Sequence, residues 1–344
     1  MKKIENKYKP SFLKKSFIKL CRFLGYEIID QSNFIIPTLE KRVNDTLSVQ
    51  GVKSINLPLG EVKITRSITE LVVIIRSCTS INMLTQSKKR IFEKEKSEYT
   101  LRSINSILKS INEARKIFKK IDFRVIVVDH NSDHININSI KKMLNESGVK
   151  NEFVNLDLNE FKENIKKTNE ENKLVTDNQI SNMLNIRKSL DISKKCKDLI
   201  YFVEYDYIHE LEAISEMIYA YERIGSQINS ELILCPTDYP FLYTKAESTE
   251  IYLGEKYHWR KINETLCTFL TSKTVVNNYW NDLISMCEFE HYPFESPLHK
   301  IYQKELCISP MPSLALHFTN VNSVYGLSPN IDWKKLWEDN KNLN

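Results

Sequence analysis

Apolar and polar positions follow two rhythms between residues 70 and 235. Compact runs rich in β-branched side chains, at Leu71–Ile75, Phe123–Val128 and Asp198–Val203, predict strands buried on both faces, as in a parallel sheet. Glu152–Leu156 and Glu231–Cys235 predict two further strands. Between these runs the apolar period lengthens. Over 98–120, Leu101, Ile104, Ile107, Leu108, Ile111 and Ala114 share one helical face. Helices are also expected at 137–146, 178–194 and 211–224, whereas the strongly charged stretch 158–175 reads as surface. Strand and helix alternate without an internal repeat. The expected fold class is therefore α/β, with a Rossmann-like, mostly parallel central sheet and helices on both faces.

The N-terminus has a different pattern. In 11–25, Leu13, Phe17, Leu20 and Leu24 recur at helical spacing, and Cys21 joins their face. Lys14, Lys15, Lys19 and Arg22 fill the rest, and Gly25 offers a stop. Such a helix either lies on an anionic membrane surface or docks on the domain by its apolar stripe. Residues 27–68, with Pro37 and Pro58, read as an extension. The expected organisation is thus an amphipathic helix and extension over 1–68, a catalytic domain over 69–320, and a tail over 321–344.

Charge and composition narrow the function classes. Residues 1–26 carry eight Lys/Arg and one Glu, a balance of +7 against +5 for the whole chain, which leaves the rest near −2. Basic character confined to one terminus argues against a nucleic-acid-binding surface. The 42% apolar content suffices for a packed core. Seven cysteines, odd in number and without a C-x-x-C pair, predict reduced thiols in a cytoplasmic protein rather than a disulfide framework or a cysteine zinc site. No stretch reaches the roughly 20 apolar residues of a membrane span.

Ligands of open α/β sheets bind beyond the carboxyl ends of the strands. Three predicted strand ends are polar: Arg76-Ser77-Cys78-Thr79, Asp129-His130-Asn131-Ser132-Asp133 and Glu204-Tyr205-Asp206. In the third, two carboxylates stand one residue apart after an apolar run. Adjacent carboxylates repel unless a cation sits between them, and Mg²⁺ or Mn²⁺ bridges such acids to substrate phosphates. A solvated loop after a strand is the competing interpretation.

Taken in order, these segments resemble the family 2 glycosyltransferases and their GT-A relatives. Tyr99–Leu108 looks like the family's first helix. Val127-Val128-Asp129-His130-Asn131-Ser132-Asp133 is similar to its "VDDGSxD" motif, with His130 for the second Asp and Asn131 for Gly. Asn185-Ile186-Arg187 resembles the Asn/Arg pair that precedes the metal motif, and Glu204-Tyr205-Asp206 that motif itself. Phe294-Glu295-Ser296 resembles the segment that carries the Glu-Asp pair, and His317 the late histidine.

The resemblance implies a GT-A fold, a nucleotide-diphosphate sugar as donor, and a divalent metal, Mn²⁺ or Mg²⁺. It implies that Arg76, Ser77, Asp129, Asn131, Arg187, Glu204 and Tyr205 contact the nucleotide sugar. Asp206 and His317 would hold the metal, and Glu295 would act as catalytic base, since Ser296 replaces the family's Asp. Asp238, Glu288 and Glu290 are further candidates for the base. The implied enzyme is an inverting hexosyltransferase-type glycosyltransferase acting on a saccharide or lipid-linked acceptor in cell-surface polysaccharide or glycolipid synthesis. It would be cytoplasmic and peripheral on the inner face of the membrane. Tyr239, Phe241, Tyr243, Tyr252, Tyr257 and Trp259 are dense enough for a sugar-stacking wall or for ordinary packing. Two rivals remain. A nucleotidyltransferase is disfavoured by the absence of glycine near Arg76–Ile81, and a catalytically impaired scaffold would account for Ser296 and Tyr205.

Overall fold

The computed structural model describes residues 12–26, 53–56, 60–80, 92, 94–161, 163, 165–243, 249–318 and 330–341. The chain divides into two units, Met1–Arg42 and Val43–Asn344. In the first, α1 (Phe12–Phe23) ends where Gly25 turns left-handed at φ 84°, and the amides of Gly25 and Tyr26 bond back to the carbonyls of Arg22 and Cys21. Phe12, Leu13, Phe17, Leu20 and Phe23 are exposed.

The second unit opens with a hairpin of β1 (Lys53–Asn56) and β2 (Gly60–Lys63). There follow β3 (Glu70–Ser77), α2 (Lys96–Ile117), β4 (Asp122–Asp129), α3 (His134–Glu146), β5 (Lys150–Asn155), α4 (Asp177–Ser193), β6 (Leu199–Val203) and β7 (Tyr207–His209). Next come α5 (Ala213–Ile228), β8 (Leu232–Leu234), β9 (Ile251–Leu253), β10 (His258–Lys261), β11 (Phe269–Ser272), α6 (Lys273–Asn278) and α7 (Trp280–Glu288). The last elements are α8 (Ser296–Tyr302), β12 (Leu306–Met311), β13 (Ala315–His317) and α9 (Trp333–Asp339).

The main sheet has nine strands in the order β5-β4-β3-β6-β11-β8-β12-β10-β9. All point the same way except β11 and β10, as the pairings dictate. Burial alternates along the central strands. Leu71, Val73, Ile75, Val125, Val127, Leu199, Tyr201 and Val203 pack with residues of α2, α3 and α5. Val72, Ile74, Ile126, Val128, Ile200 and Phe202 pack on the other face with residues of α4, α7 and α8. Both faces are apolar, so these strands read as near-continuous hydrophobic runs rather than as alternating ones. This is the mostly parallel, helix-covered sheet that the GT-A resemblance implies.

The strand order fixes where a ligand fits. From β3 the chain steps outward to β4 and β5, then returns to place β6 on the other side of β3. The direction of winding reverses between β3 and β6, which opens a crevice at their carboxyl ends. β13 pairs antiparallel with β7, directly after the end of β6. The C-terminal segment thereby comes to the same place. Trp337 of α9 anchors it, packed with Tyr99, Ile208, Leu316 and Phe318 and capped by the Arg102 guanidinium 4.2 Å from its ring.

Candidate functional site

Arg76, at the end of β3, is buried and reaches across the crevice. Its Nη2 lies 2.5 Å from Glu204 Oε1, and Nη1 donates to Asn182 Oδ1 at 3.1 Å. The neighbouring Ser77 donates to Asp129 Oδ1 at 2.5 Å. Asp129 also accepts from the Ser132 hydroxyl at 2.6 Å and the Ser132 amide at 3.2 Å. Its carboxylate thus holds the loop after β4 against β3. Asn131, where the family motif has Gly, adopts φ 59°. Asparagine accepts the left-handed region better than other non-glycine residues, so the substitution keeps the turn. His130 meets Ser181 of α4, with Nδ1 2.5 Å from the hydroxyl. Burial lowers its pKa, against the pull of Asp129.

The end of β6 carries the densest chemistry. Glu204, Asp206 and His317 each offer one ligand atom within a group whose members all lie within 4.8 Å of one another. His317 Nε2 is 3.1 Å from Asp206 Oδ2, and the imidazole stacks on Tyr207 at 4.7 Å and 6°. Backbone pairing enforces the meeting, since His317 is opposite Tyr207 and the Phe318 amide donates to the Asp206 carbonyl at 3.0 Å. Burial raises the pKa of Glu204, and Asp206 adds to the rise while Arg76 opposes it. Burial works against a charge on His317, but Asp206 and Glu204 outweigh it and raise the pKa. Two carboxylates and an imidazole converging in one half-buried corner have the donor chemistry of a divalent-cation site, with the oxygens suited to Mg²⁺ or Mn²⁺. Tyr205, between the two acids, lies under the Lys96 ammonium, 4.2 Å from ring centroid to Nζ.

Two residues expected at the site are placed differently. Arg187 pairs with Asp191 at 3.4 Å and lies over the rings of Phe161 and Trp280. At about 100° per residue, Ser181, Asn182 and Asn185 present the crevice face of α4 while Arg187 falls on the far side. Asn185 donates to the Val128 carbonyl at 3.1 Å. Helix phase, not proximity in sequence, separates the two members of the Asn/Arg pair. Glu295 is the second. Its carboxylate is 4% exposed and accepts from the amides of Thr265 and Cys267 and from the Thr265 hydroxyl, at 3.2 to 3.4 Å. Leu266 and Cys267 have φ of 49° and 59°, and the acid holds this turn closed. A carboxylate so engaged clamps the turn. The turn in turn supports Glu204, whose amide meets Thr268 Oγ1 at 3.3 Å.

The aromatic wall is likewise dispersed. Trp259 and Tyr239 are fully buried, and Tyr239 hydrogen-bonds Tyr207 at 2.6 Å. Asp238 lies beyond the end of β8, on the same sheet edge as Glu204. Its Oδ2 accepts from Tyr243 at 2.6 Å, and its buried Oδ1 has no hydrogen-bond partner among the described residues. Burial raises its pKa. Ser181, Asn182, Lys96 and Tyr207 also lie beside these residues and stand outside the motifs. Asn182 was detectable, because it precedes Asn185 by three residues on one helical face.

No protein-family model matches the chain, and no curated protein matches it. Solved structures similar to it include S. aureus TarS, at 10% identity and TM-score 0.33 over 61% of this chain. The chain spans only 29% of TarS. The galactosyltransferase LgtC in complex with donor and acceptor sugar analogs is 9% identical, with TM-score 0.36 over 78% of this chain and 95% of LgtC. UTP-bound UGPase from Acinetobacter baumannii is 9% identical, with TM-score 0.39 over 79% of this chain and 93% of that one. These likenesses are distant. The chemistry is therefore read from the site itself. Among the described residues, no helix is long and apolar enough to cross a membrane.

Proposed function

We propose that the chain is a metal-dependent, inverting glycosyltransferase of the hexosyltransferase type. It takes a nucleotide-diphosphate sugar as donor and a saccharide or lipid-linked hydroxyl as acceptor, in cell-surface polysaccharide or glycolipid synthesis. The observation that carries the reading is the convergence of Glu204, Asp206 and His317 at the β3/β6 crevice. A Mn²⁺ or Mg²⁺ ion held there would neutralise the diphosphate leaving group. Asp129 with Ser77 and Asn131 forms the edge for the nucleoside, and Arg76 orients Glu204. Since Glu295 is committed to backbone amides, Asp238 is the better base for the acceptor hydroxyl. It has an oxygen without a hydrogen-bond partner among the described residues and a raised pKa, at the carboxyl end of the sheet.

Calorimetry tests the reading. UDP, GDP, ADP and CDP, titrated in turn, should include one that binds only when Mn²⁺ is present, and Asp206→Ala should abolish that binding. Unchanged binding by the variant would overturn the assignment. Release of pyrophosphate from a sugar 1-phosphate and a nucleoside triphosphate would favour nucleotidyl transfer instead. The reading extends to α1, whose apolar residues and lysines suit an anionic bilayer. Flotation with phosphatidylglycerol vesicles, lost on Phe17→Glu, checks that part.

A further inference from the structure

The turn between β10 and β11 breaks an ordinary rule. Leu266 and Cys267 both lie in the left-handed region, at φ 49° and 59°, where a bulky side chain such as leucine is strained. No glycine relieves it, since the segment runs Thr265-Leu266-Cys267-Thr268. A backbone held this way persists only when its surroundings impose it. Part of the constraint is the turn's own bond, from the Thr268 amide to the Thr265 carbonyl at 3.2 Å. The rest comes from Glu295, which accepts from the amides on either side of Leu266 and from the Thr265 hydroxyl. The Tyr302 hydroxyl meets that same threonine hydroxyl at 2.7 Å.

Two routes lead from this turn to the candidate metal ligands. Thr268 Oγ1 accepts from the Glu204 amide at 3.3 Å and so fixes the peptide that carries one carboxylate. The Thr265 carbonyl accepts from the Tyr239 hydroxyl at 3.3 Å, and that hydroxyl is 2.6 Å from the hydroxyl of Tyr207. The Tyr207 ring lies flat against the His317 imidazole, with centroids 4.7 Å apart and planes 6° from parallel. Tyr207, Tyr239, Thr265 and Thr268 are all fully buried, so water does not compete for these bonds. We propose that Glu295 is a positioning residue of the Glu204–Asp206–His317 cluster, acting through the strained turn on the Glu204 peptide by way of Thr268 and on the His317 ring by way of Tyr239 and Tyr207. This rests on the reading of that cluster as a divalent-cation site. The affinity of a metal site depends on the partners that orient its ligands from behind. Here one buried acid orients two ligands from two sides without touching the ion.

The test measures Mn²⁺ affinity of the full chain by calorimetry, beside stability in urea. Glu295→Gln keeps the size of the side chain but sets an amide group against the donors of the turn. It should weaken Mn²⁺ binding by about 10-fold, the lower end for an outer partner of a metal ligand. Tyr239→Phe and Thr268→Val each cut one route and should each cause a smaller loss. Combined with Glu295→Gln, each should add less than it causes alone, because the two changes act along one route. Asp198→Ala, which destabilises the opposite end of the sheet, should keep the wild-type affinity. If Glu295→Gln binds Mn²⁺ as the wild type does, or if its loss simply adds to those of the other two, Glu295 serves the fold alone and the proposal fails while the metal site stands. If Asp198→Ala weakens binding as much as Glu295→Gln, affinity merely follows stability and the proposal fails. If Glu295→Gln does not fold, Tyr239→Phe and Thr268→Val decide: a loss in both sustains the proposal, and wild-type affinity in either overturns it. If the wild type binds no Mn²⁺, the reading of the cluster fails first and the proposal with it.

Discussion

At the amino ends of β3, β6 and β8, Arg66 serves two acids. Its guanidinium reaches Asp198 at 2.5 Å and Glu231 at 3.0 Å. The Thr69 amide fills Asp198 Oδ2 at 2.7 Å, and the Tyr221 hydroxyl fills Glu231 Oε2 at 2.6 Å. At the carboxyl ends of β3 and β6, the same kinds of side chain are arranged otherwise. There Arg76 serves Glu204, while Asp206 and His317 crowd beside it. At one end burial works against the charge, yet Tyr221, Arg66 and the Ser272 side chain lower the Glu231 pKa; at the other, burial and a second acid raise that of Glu204. A network that satisfies its own acids is structural. One that gathers acids faster than donors is shaped for something that arrives from outside.

The sharpest break of this contrast is Asp206→Ala. It should cost kcat/KM on the order of 10³-fold or more, about 4 kcal/mol, yet leave the metal-free protein's melting temperature unchanged or higher. A large drop in melting temperature would make the carboxyl-end cluster structural as well. Asp198→Ala should do the reverse. It strands the Thr69 amide and leaves Arg66 with Glu231 as its one acid, and should lower stability by about 3 kcal/mol in urea unfolding while Mn²⁺ affinity is kept. Next, Mn²⁺ at a hundredfold excess over its Kd should stabilise the wild type by about 2.7 kcal/mol, and His317→Ala should lose most of this in a thermal shift. The smallest effect calibrates the two ends with an acid that belongs to neither. Glu216 is buried, accepts from the Lys256 amide at 3.1 Å, and has its pKa raised by burial to about 7. A carboxyl raised in the fold from an ordinary 4.5 stabilises below pH 4.5, and that stability is lost as pH rises through 7. Glu216→Gln should therefore gain about 2 kcal/mol over the wild type at pH 8, and nothing at pH 4, by urea unfolding at each pH.

The same contrast marks what could be read from the sequence. β3, β4 and β6 are visible as apolar runs because both faces of each strand are covered, and α2 by its unbroken apolar stripe. The strand ends that bear Arg76, Asp129, Glu204 and Asp206 follow from those runs. The second half of the sheet is less legible. β9, β11 and β13 are three or four residues long, and pairing with neighbours rather than local pattern defines them. Arg187 and Glu295 are placed by constraints that the motifs do not show. Helix phase turned the first away from the crevice, and a left-handed turn at Leu266 and Cys267 claimed the second. Neither phase against a partner helix nor a backbone nest is visible one residue at a time.

The pairing of β13 with β7 sets when the three-residue cluster is completed during synthesis. Asp206 and His317 are 111 residues apart. At about 5–20 residues per second, translation needs on the order of ten seconds to cover that distance. A nascent chain that has emerged only through β12 has both acids and no imidazole. Its sheet can form before the histidine exists, so completing the cluster takes the laying of one short strand rather than the folding of a domain.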